Sequence, residues 1–438
     1  MVRREATRIL HAIAVLVLLL AAVVSRAGVA AATTRPCVLW AEPTSDRENI
    51  IWPEITTTYE AGFVPVLPGG YTEIAGQFPH ARFFSLQSSG ANGRNINGWP
   101  DYEISPNAGS VNPFRVGADR RARNRSYTLR VVDQPVPASG PAPNTLYSSS
   151  SDGTVRSYPG TALITLRYYL PDRGTGRMAG VPAPTVTMVT ATGQRIPTPT
   201  CTDTLGDPGY TETIAATGPQ TDVLPGTGPF VAHRVPVWRK FVNAATGVFG
   251  ALADNDMFSE NIYGPGTQYT YQLPAGFFEN IYNKYIATTI SMDFGQVLVF
   301  RAELPTTPRT FDGQHRMSTG QLRFWSVCTG DVETTMTYNC LVDKDIPIER
   351  HRHFTLAIST TAARPSNATA RCGVAWLPAG PPGQTVVILR NMLPSPRFRQ
   401  AIQNVHVGHE RATMGAYYPL GRYYKTTAAF ERLGCHRR

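Results

Sequence analysis

Four arginines occupy matching positions in two pairs of similar segments, and their chemistry gives the first indication of a site. Arg82 and Arg323 open runs of the form Arg-Phe-aromatic-Ser-aliphatic, whereas Arg167 and Arg390 each end an apolar, β-branched run. Guanidinium groups that point inwards between sheets can hold a carboxylate or phosphate through two parallel hydrogen bonds. We therefore predict these four arginines as ligand-binding residues.

The same arginines could instead be structural, because a buried guanidinium requires a partner. Acidic residues lie within each copy of the pattern: Asp101 and Glu103 in the first, Asp343 and Asp345 in the second. Pairing inside one duplicated unit is the simpler arrangement. It is the alternative to ligand binding.

Adjacent tyrosines offer a second kind of site. Tyr168 and Tyr169 follow directly after Arg167, so in an extended chain one ring of the two faces outwards. Exposed aromatic rings with a polar tip stack well on sugars. Tyr168 and Tyr169 are therefore added to the predicted ligand-binding residues, with the alternative that the pair straddles a sheet.

A metal site is considered at VHVGHE, where His406 and His409 are followed by Glu410. Two histidines and a carboxylate could hold zinc if another ligand converged on them. The spacing is not that of a zinc-protease helix, and surface histidines are the ordinary interpretation. We predict no metal and no cofactor, and keep a metal-dependent activity through these residues as an alternative.

Motifs for catalysis are missing from the chain. It contains no G-x-S-x-G elbow, no phosphate loop and no G-x-G-x-x-G that opens a helix. A carboxylate pair for glycoside cleavage could be assembled from four acids, but nothing selects two of them: Asp254, Asp256, Glu260 and Asp343. The sequence therefore favours a non-enzymatic protein, with a secreted hydrolase or lyase as the alternative.

The elements that carry these residues occur twice, in the same order. Each copy holds the Arg-Phe-aromatic run, then a Phe- or Tyr-Thr-Leu run, then a run ending in Leu-Arg-x-x-Leu-Pro. The intervals between runs are longer in the first copy, and we assign the surplus to the polar stretch SSGANGRNING at 88–98. The matching runs are ARFFSL and LRFWSV, SYTLRV and HFTLAI, and TALITLRYYLP and QTVVILRNMLP.

Each run has the length and residue types of a strand. Many short strands, 38 glycines, 36 prolines and few helical patterns predict two antiparallel β-sandwich domains, jelly-roll-like and mostly β. A hairpin is predicted to turn at Thr192-Gly193. A short helix is predicted near 396–405, after Ser395 and Pro396, and a second near Val237 to Leu252.

The N-terminus has the pattern of a secretory signal peptide. Three arginines precede an apolar stretch from Ile9 to Val24, and small residues follow it. We expect cleavage near residue 32, with retention as a membrane anchor as the alternative. Residues 1–32 hold four arginines and one glutamate, so their removal lowers the formal charge from +10 to +7. No basic run with interleaved aromatic residues suggests nucleic acid.

Export would place six cysteines in an oxidising compartment. Cys328 ends one strand-like run and Cys340 begins the next, so a bridge between them would close a hairpin. We then pair Cys372 with Cys435, which leaves Cys37 with Cys201. Six cysteines allow 15 pairings, so the connectivity stays open at this point.

Several motifs of the second copy, in order over residues 321–424, carry a family resemblance: RFWSVC, GVAWLPAG, VILRNMLP, QAIQNV and MGAYYPLGRYY. They resemble a family of exported proteins from actinobacteria and related bacteria whose members have no assigned function. The segment FENIYNKYIATTISMDFGQVLVFRAELPTTP and, in the first copy, PHARFFSL and ISPNAGSVNPFR extend the likeness. The chain is also similar, more distantly, to a bacterial β-rich domain of unknown function found in secreted proteins. The resemblance implies export and no particular activity.

These observations predict a secreted or cell-envelope protein of four segments: a signal peptide (1–32), a first repeat (33–204), a connector with a helix (205–262) and a second repeat (263–438). Its expected role is that of a binding or structural module with a ligand crevice between the repeats. The expected partner is a cell-wall or extracellular glycan or a small anionic ligand. We expect no nucleic acid, and contact with the membrane only during export.

Overall fold

The protein is described here by a computed structural model covering residues 49, 52–91, 93–198, 232–241, 280–332, 336–406 and 408–435. The predicted signal peptide and the Cys37–Cys201 pair lie outside these residues. The same is true of the acids Asp254, Asp256 and Glu260.

Eighteen strands make up most of the regular structure in the described residues, which confirms the predicted mostly β, sandwich-rich class. The first half holds β1 (Thr57–Pro65), β2 (Tyr71–Gln77), β3 (Ala81–Ser89), β4 (Asn95–Pro100), β5 (Ser126–Pro135), β6 (Thr145–Ser149), β7 (Thr161–Pro171), β8 (Thr185–Val189) and β9 (Arg195–Thr198). The second half holds β10 (Arg239–Phe241), β11 (Asn283–Ser291), β12 (Val297–Glu303), β13 (Leu322–Asp331), β14 (Thr337–Val342), β15 (His353–Ser359), β16 (Val374–Pro378), β17 (Gln384–Pro394) and β18 (Leu420–Tyr424).

Helices are few and short. The described α-helices are α1 (Glu410–Met414) and α2 (Thr427–Glu431). Single 3₁₀ turns occur at Met292–Phe294, Thr310–Asp312, Asp343–Asp345, Arg350–Arg352, Thr361–Ala363, Ala370–Cys372, Ile402–Asn404 and Gly415–Tyr417. None of the helices among the described residues has the length and apolar content that crossing a bilayer requires.

The two halves have the same sheet topology, so the duplication seen in the sequence is a duplication of fold. The first repeat has an outer sheet ordered β6-β5-β2-β8-β9 and an inner sheet ordered β1-β7-β3-β4. The second has an outer sheet ordered β16-β15-β12-β18 and an inner sheet ordered β10-β11-β17-β13-β14. Each strand from β1 to β8 therefore corresponds to the strand numbered ten higher, and β9 and β10 are additional edge strands.

Register and irregularities are also duplicated. Ser85 faces Arg167 across β3 and β7, as Ser326 faces Arg390 across β13 and β17. Both β3–β4 and β13–β14 carry a register shift at the same point of the hairpin, after Ser88 and Thr329 respectively. The β5–β6 and β15–β16 pairs are both parallel, so the outer sheets are mixed rather than purely antiparallel.

Each repeat is a sandwich with its own apolar core. The first core contains Phe84, Leu86, Leu129 and Leu166, and the second contains Trp325, Val327, Leu356 and Leu389. Strand β3 is buried at every position, whereas β2 and β5 on the outer sheet alternate between buried and partly exposed positions. The inner sheets are therefore covered on both faces, by the outer sheet of their own repeat and by the other repeat.

The helix predicted near 396–405 is reduced to one 3₁₀ turn, Ile402–Asn404. Ala401 is extended, with φ −67° and ψ 149°, which interrupts any helix through this segment. The amide of Asn404 donates to the carbonyls of Phe398 and Arg399, a side-chain substitute for helical bonds. The segment nevertheless buries four apolar side chains: Phe398, Ala401, Ile402 and Val405.

Two further sequence interpretations need correction. The second predicted helix begins with Val237, but residues 239–241 form the edge strand β10, paired with β11; residues 242–252 lie outside the described part. The surplus length of the first repeat is not in SSGANGRNING, whose residues 88–89 end β3 and 95–98 begin β4, because the β13–β14 hairpin of the second repeat has the same spacing. It lies in the β4–β5 connection, residues 101–125, because the matching connection spans only 343–352.

Several local predictions are confirmed. The β8–β9 hairpin turns at Thr190 to Gln194, with Gly193 in the left-handed region. The Cys328–Cys340 disulfide joins β13 to β14, and Cys372–Cys435 ties the C-terminal segment to the second repeat. Beside the latter, α2 places Phe430 against Val297, Val299 and Val374, so the outer face of the second outer sheet is covered.

Candidate functional site

The two inner sheets meet through an apolar cluster formed by matching residues. Phe83 on β3 corresponds to Phe324 on β13, and Tyr169 on β7 corresponds to Met392 on β17. The ring centroids of Tyr169 and Phe324 lie 5.2 Å apart, and all four residues are at most 2% exposed. Side chains of both repeats thus fill this part of the contact, where the sequence suggested a ligand crevice.

Beside this cluster, two ion pairs cross between the repeats in opposite directions. Arg82 of the first repeat binds Asp343 of the second, and Arg323 of the second binds Asp101 of the first, at 3.2 Å. Asp101 and Asp343 are equivalent residues, each directly after β4 or β14. Each repeat therefore supplies one arginine and one acid to the other, and the two ion pairs are related by an approximate twofold axis. We call this arrangement the reciprocal exchange.

Each of the two carboxylates also accepts a second hydrogen bond. The hydroxyl of Thr307 donates to Asp343 at 2.6 Å, and the backbone N–H of Phe84 donates to Asp101 at 3.0 Å. Burial raises the pKa of Asp101 to about 6, although Arg323 and the N–H of Phe84 act in the opposite direction. Asp101 has no exposed surface, so substrate cannot reach it.

This arrangement corrects the expectation that each arginine would pair within its own repeat. The acids were predicted correctly, since Asp101 and Asp343 are the partners, but each pairs with the arginine of the other repeat. Arg82 is 1% exposed and also donates to the hydroxyl of Thr310. Its guanidinium therefore serves the contact between repeats.

Arg390, the third predicted arginine, is held by the segment that precedes β1. Its Nη1 lies 3.6 Å from a carboxylate oxygen of Glu54, and its Nη2 donates to the carbonyl of Trp52 at 2.6 Å. The Ser326 hydroxyl donates to the same carboxylate. The indole N–H of Trp52 donates to the carbonyl of Asp331 at 2.7 Å. The segment that precedes β1, which we call the arm of the first repeat, therefore packs on the second repeat.

The arm of the second repeat makes the converse contact. Tyr282, just before β11, packs its ring 5.8 Å from that of Phe83. Burial raises the pKa of Tyr282, and Arg167 of the first repeat opposes this rise, so the two groups interact. Arg167 itself donates to the side-chain oxygen of Gln87. The exchange of arms thus follows the same approximate symmetry as the ion pairs.

The two predicted tyrosines are both buried, contrary to the expectation that one ring would face outwards. Tyr168 is 1% exposed and donates its hydroxyl to Glu60 at 2.9 Å, within the first core. Tyr169 is 2% exposed and lies in the cluster between repeats. Alternation exposes one ring only when one face of a sheet meets water, and β7 is covered on both faces. Neither ring can stack on a sugar.

The suggested metal ligands do not assemble into a site. His406 and His409 are exposed, whereas Glu410 is buried and accepts the backbone N–H groups of Lys240 and Gly408. Within the described residues, the group of potential ligands close enough for a metal is Glu54 with Cys328 and Cys340. The two sulfurs of that group are joined in a disulfide and are not free to bind an ion.

Two insertions, each present in one repeat alone, clasp the same interface. Residues 101–125 extend the β4–β5 connection, and residues 304–321 extend the β12–β13 connection, whose counterpart spans only 78–80. Asp119 and Arg316 form an antiparallel bridge between them, and the N–H of Arg120 donates to the carbonyl of His315. We call this paired structure the clasp.

Arg120 anchors the clasp. Its Nη2 binds Asp172 at 2.8 Å, and its Nη1 donates to the carbonyls of Thr310 and Gln314. Burial raises the pKa of Asp172, and Arg120 opposes the rise. Arg120 is 5% exposed, so its charge is balanced inside the protein by Asp172 and does not face solvent.

A second buried arginine, Arg125, sits beside His80. Its guanidinium donates to the carbonyls of Pro79 and Arg120 and contacts the His80 imidazole. Burial, together with Arg125 and Arg120, lowers the pKa of His80 to about 4. Burial and Arg120 likewise lower the pKa of Arg125 to about 10. The imidazole is therefore neutral at physiological pH.

Sequence reasoning did not identify Glu54, Arg120 or Thr310, which all hold the repeats together. Glu54 precedes the first strand of its repeat, outside the matched runs. Arg120 and Thr310 lie in insertions with no counterpart in the other copy. The one available signal was the unequal spacing between matched runs, which was assigned to the wrong connection.

Comparisons with known proteins place the fold but no activity. No protein-family model matches the chain, and no curated protein matches it. A solved structure of an uncharacterized protein from Burkholderia cenocepacia is similar, with a TM-score of 0.52 and 12% identity. That similarity covers 94% of this chain and 88% of that one, and shows a shared fold.

Another solved structure, of a Vibrio parahaemolyticus protein, matches with a TM-score of 0.38 and 11% identity, over 85% of this chain and 90% of that one. The resemblance to an actinobacterial family remains a prediction.

Proposed function

We propose that the protein is an exported or cell-envelope module, non-enzymatic, in which the two repeats act as one rigid unit. The observation that carries this proposal is the reciprocal exchange between Arg82–Asp343 and Arg323–Asp101. Groups that could have bound a ligand or substrate between the repeats are instead buried and paired with each other. A scaffold of this kind presents its outer surfaces and clasp to partners.

Two features support export. The N-terminal sequence has the charge and apolar pattern of a signal peptide. The described cysteines form Cys328–Cys340 and Cys372–Cys435, as is usual in oxidising compartments.

Cell fractionation tests the location. The full chain, carrying a C-terminal tag, is expressed in a bacterial host beside a variant that lacks residues 1–32. We expect the full chain in the exported fraction, with oxidised cysteines and faster migration on non-reducing gels. The shortened variant should remain in the cytoplasm with reduced thiols. A full chain that stays cytoplasmic and reduced would contradict the proposal.

Rigidity is tested on the same purified protein. Unfolding in urea, followed in parallel by tryptophan fluorescence and far-UV circular dichroism, should give one coincident transition if the repeats form a single cooperative unit. Two separated transitions would show that the repeats unfold independently, and the role as a rigid scaffold would be lost.

A further inference from the structure

The clasp carries a concentration of positive charge on its outer side. Segment 115–125 contains five arginines and one aspartate, and segment 309–316 contains two arginines and one aspartate. Two of the seven, Arg120 and Arg125, are buried. The others are exposed and lie on two segments joined across the repeats: Arg115, Arg121, Arg123, Arg309 and Arg316.

The inner contacts of the clasp determine which of its arginines stay at the surface. Arg120 and Arg121 lie in a turn, in which Arg120 is buried against Asp172 and Arg121 is exposed. On the other segment, Thr310 is fully buried and its carbonyl accepts from Arg120, which leaves the adjacent Arg309 at the surface. Arg121 and Arg309, one from each repeat, are thus each adjacent in sequence to a residue of the contact between Arg120 and Thr310.

Three of these cations have neither an acidic partner nor a side-chain hydrogen bond among the described residues, whereas Arg115 donates to the carbonyl of Tyr102. Among the described residues, no carboxylate oxygen lies within 4.0 Å of the guanidinium groups of Arg121, Arg123 or Arg309. Arg316 differs, since its Nη1 donates to the carbonyl of Gly117 and helps to hold the clasp. Unpaired cations on segments that are joined to each other attract anions from solution.

We propose that this outer side of the clasp, defined by Arg121, Arg123 and Arg309, binds an acidic polysaccharide. Single exposed charge contacts are weak, but a linear polyanion can engage several cations at once and gain affinity by multivalency. The inference rests on the proposed function, because export places the clasp among extracellular glycans.

Two other polyanions fit the surface less well. Single-stranded nucleic acid needs aromatic platforms for its bases, and the one aromatic residue in the two segments is Phe311, whose ring is already covered by Arg173 and Lys344. A lipid surface needs an apolar side to insert, and Val116 is the exposed large hydrophobic residue of these segments.

The test compares two variants of the full chain. The first, R121S/R123S/R309S, removes the unpaired cations of the clasp. The control, R397S/R399S, removes two exposed arginines with the same one-residue spacing from a part of the second repeat outside the clasp segments. Binding to polygalacturonate is measured by interferometry at low and high salt, with uncharged dextran as the neutral polymer. Urea unfolding midpoints confirm that both variants are folded.

We expect wild-type protein and the control variant to bind polygalacturonate with similar affinity and not to bind dextran. Their binding to polygalacturonate should be lost at high salt. The triple variant should bind about tenfold more weakly or worse, the sum expected of three exposed charge contacts. Equal loss in both variants, or no loss in the triple variant, would overturn the inference.

The remaining outcomes are also decisive. No binding of wild-type protein to polygalacturonate, or tighter binding to single-stranded DNA or to anionic phospholipid vesicles, would overturn the assignment to an acidic polysaccharide. Fractionation separates this failure from failure of the proposed function. An exported protein that ignores polygalacturonate loses the inference alone, whereas a cytoplasmic protein loses the proposed function whatever it binds.

Discussion

Replacing Asp343 by asparagine keeps the shape of the side chain and removes the charge that faces Arg82. The side chains of Arg82 and Asp343 are 2% and 8% exposed, so water cannot take over the role of the carboxylate. Removing one partner of a buried ion pair costs about 3–5 kcal/mol, because the other charge is left buried. Arg82 would keep its contact with Thr310, and the oxygen of the introduced amide could still accept from Thr307. We therefore expect a loss near the lower end, about 3 kcal/mol.

Urea unfolding of the full chain, followed by tryptophan fluorescence, measures this loss. The matched control is D345N, because Asp345 lies two residues away and pairs with Lys344 at the surface, where a pair contributes less than about 1 kcal/mol. The double variant R82M/D343L replaces both charges by apolar groups and should recover much of the stability. The reasoning is refuted if D343N costs no more than D345N, or if R82M/D343L is as unstable as the summed single variants.

Three further predictions concern the fold around this interface. F324A removes a fully buried ring that contacts Tyr169 of the other repeat, and should lower the free energy of unfolding by about 3–5 kcal/mol. The control L420A changes a residue that is 53% exposed and should lower it little. Equal urea midpoints for the two variants would contradict the packing. C372S/C435S opens a disulfide between residues 63 apart, which should lower the free energy of unfolding by about 4 kcal/mol through chain entropy. It should also make α2 accessible to limited proteolysis. An unchanged urea midpoint and digestion pattern would contradict this prediction. Because the pKa of His80 is lowered from 6.5 to about 4, the unfolded chain binds a proton that the folded protein does not between these values. The contribution of neutral His80 to the free energy of unfolding is thus fully present above pH 6.5 and is lost as the pH falls toward 4. H80Q should reduce this pH dependence, and an NMR titration of His80 near pH 6.5 in the wild-type protein would contradict the assignment.

Much of the architecture was predictable because strands leave a local signature. The runs around Arg82, Arg167, Arg323 and Arg390 identified four inner strands, and their repetition predicted two equivalent sandwiches. The Cys328–Cys340 pair followed from its position across a hairpin. These features depend on residues close in sequence or on a pattern repeated within the chain.

Which repeat supplies each partner was not predictable. Asp101 and Asp343 occupy equivalent positions, so pairing within a repeat and pairing between repeats satisfy the same sequence pattern. The same limit applies to Tyr168 and Tyr169, since alternation assumes a sheet with one solvent face, and the second repeat covers that face. At 396–405, apolar spacing indicated which residues are buried but could not separate a helix from turns held by side-chain hydrogen bonds.

Hydrogen exchange of D343N tests most directly whether the repeats are locked together by exchanged ionic partners. The substitution lies in the second repeat, while Arg82 lies on β3 of the first. We predict that the slowest amides of β3 and β13 lose protection together and by the same factor, relative to wild-type protein and D345N. Loss of protection confined to β13 and its neighbours, with β3 unchanged, would contradict the account.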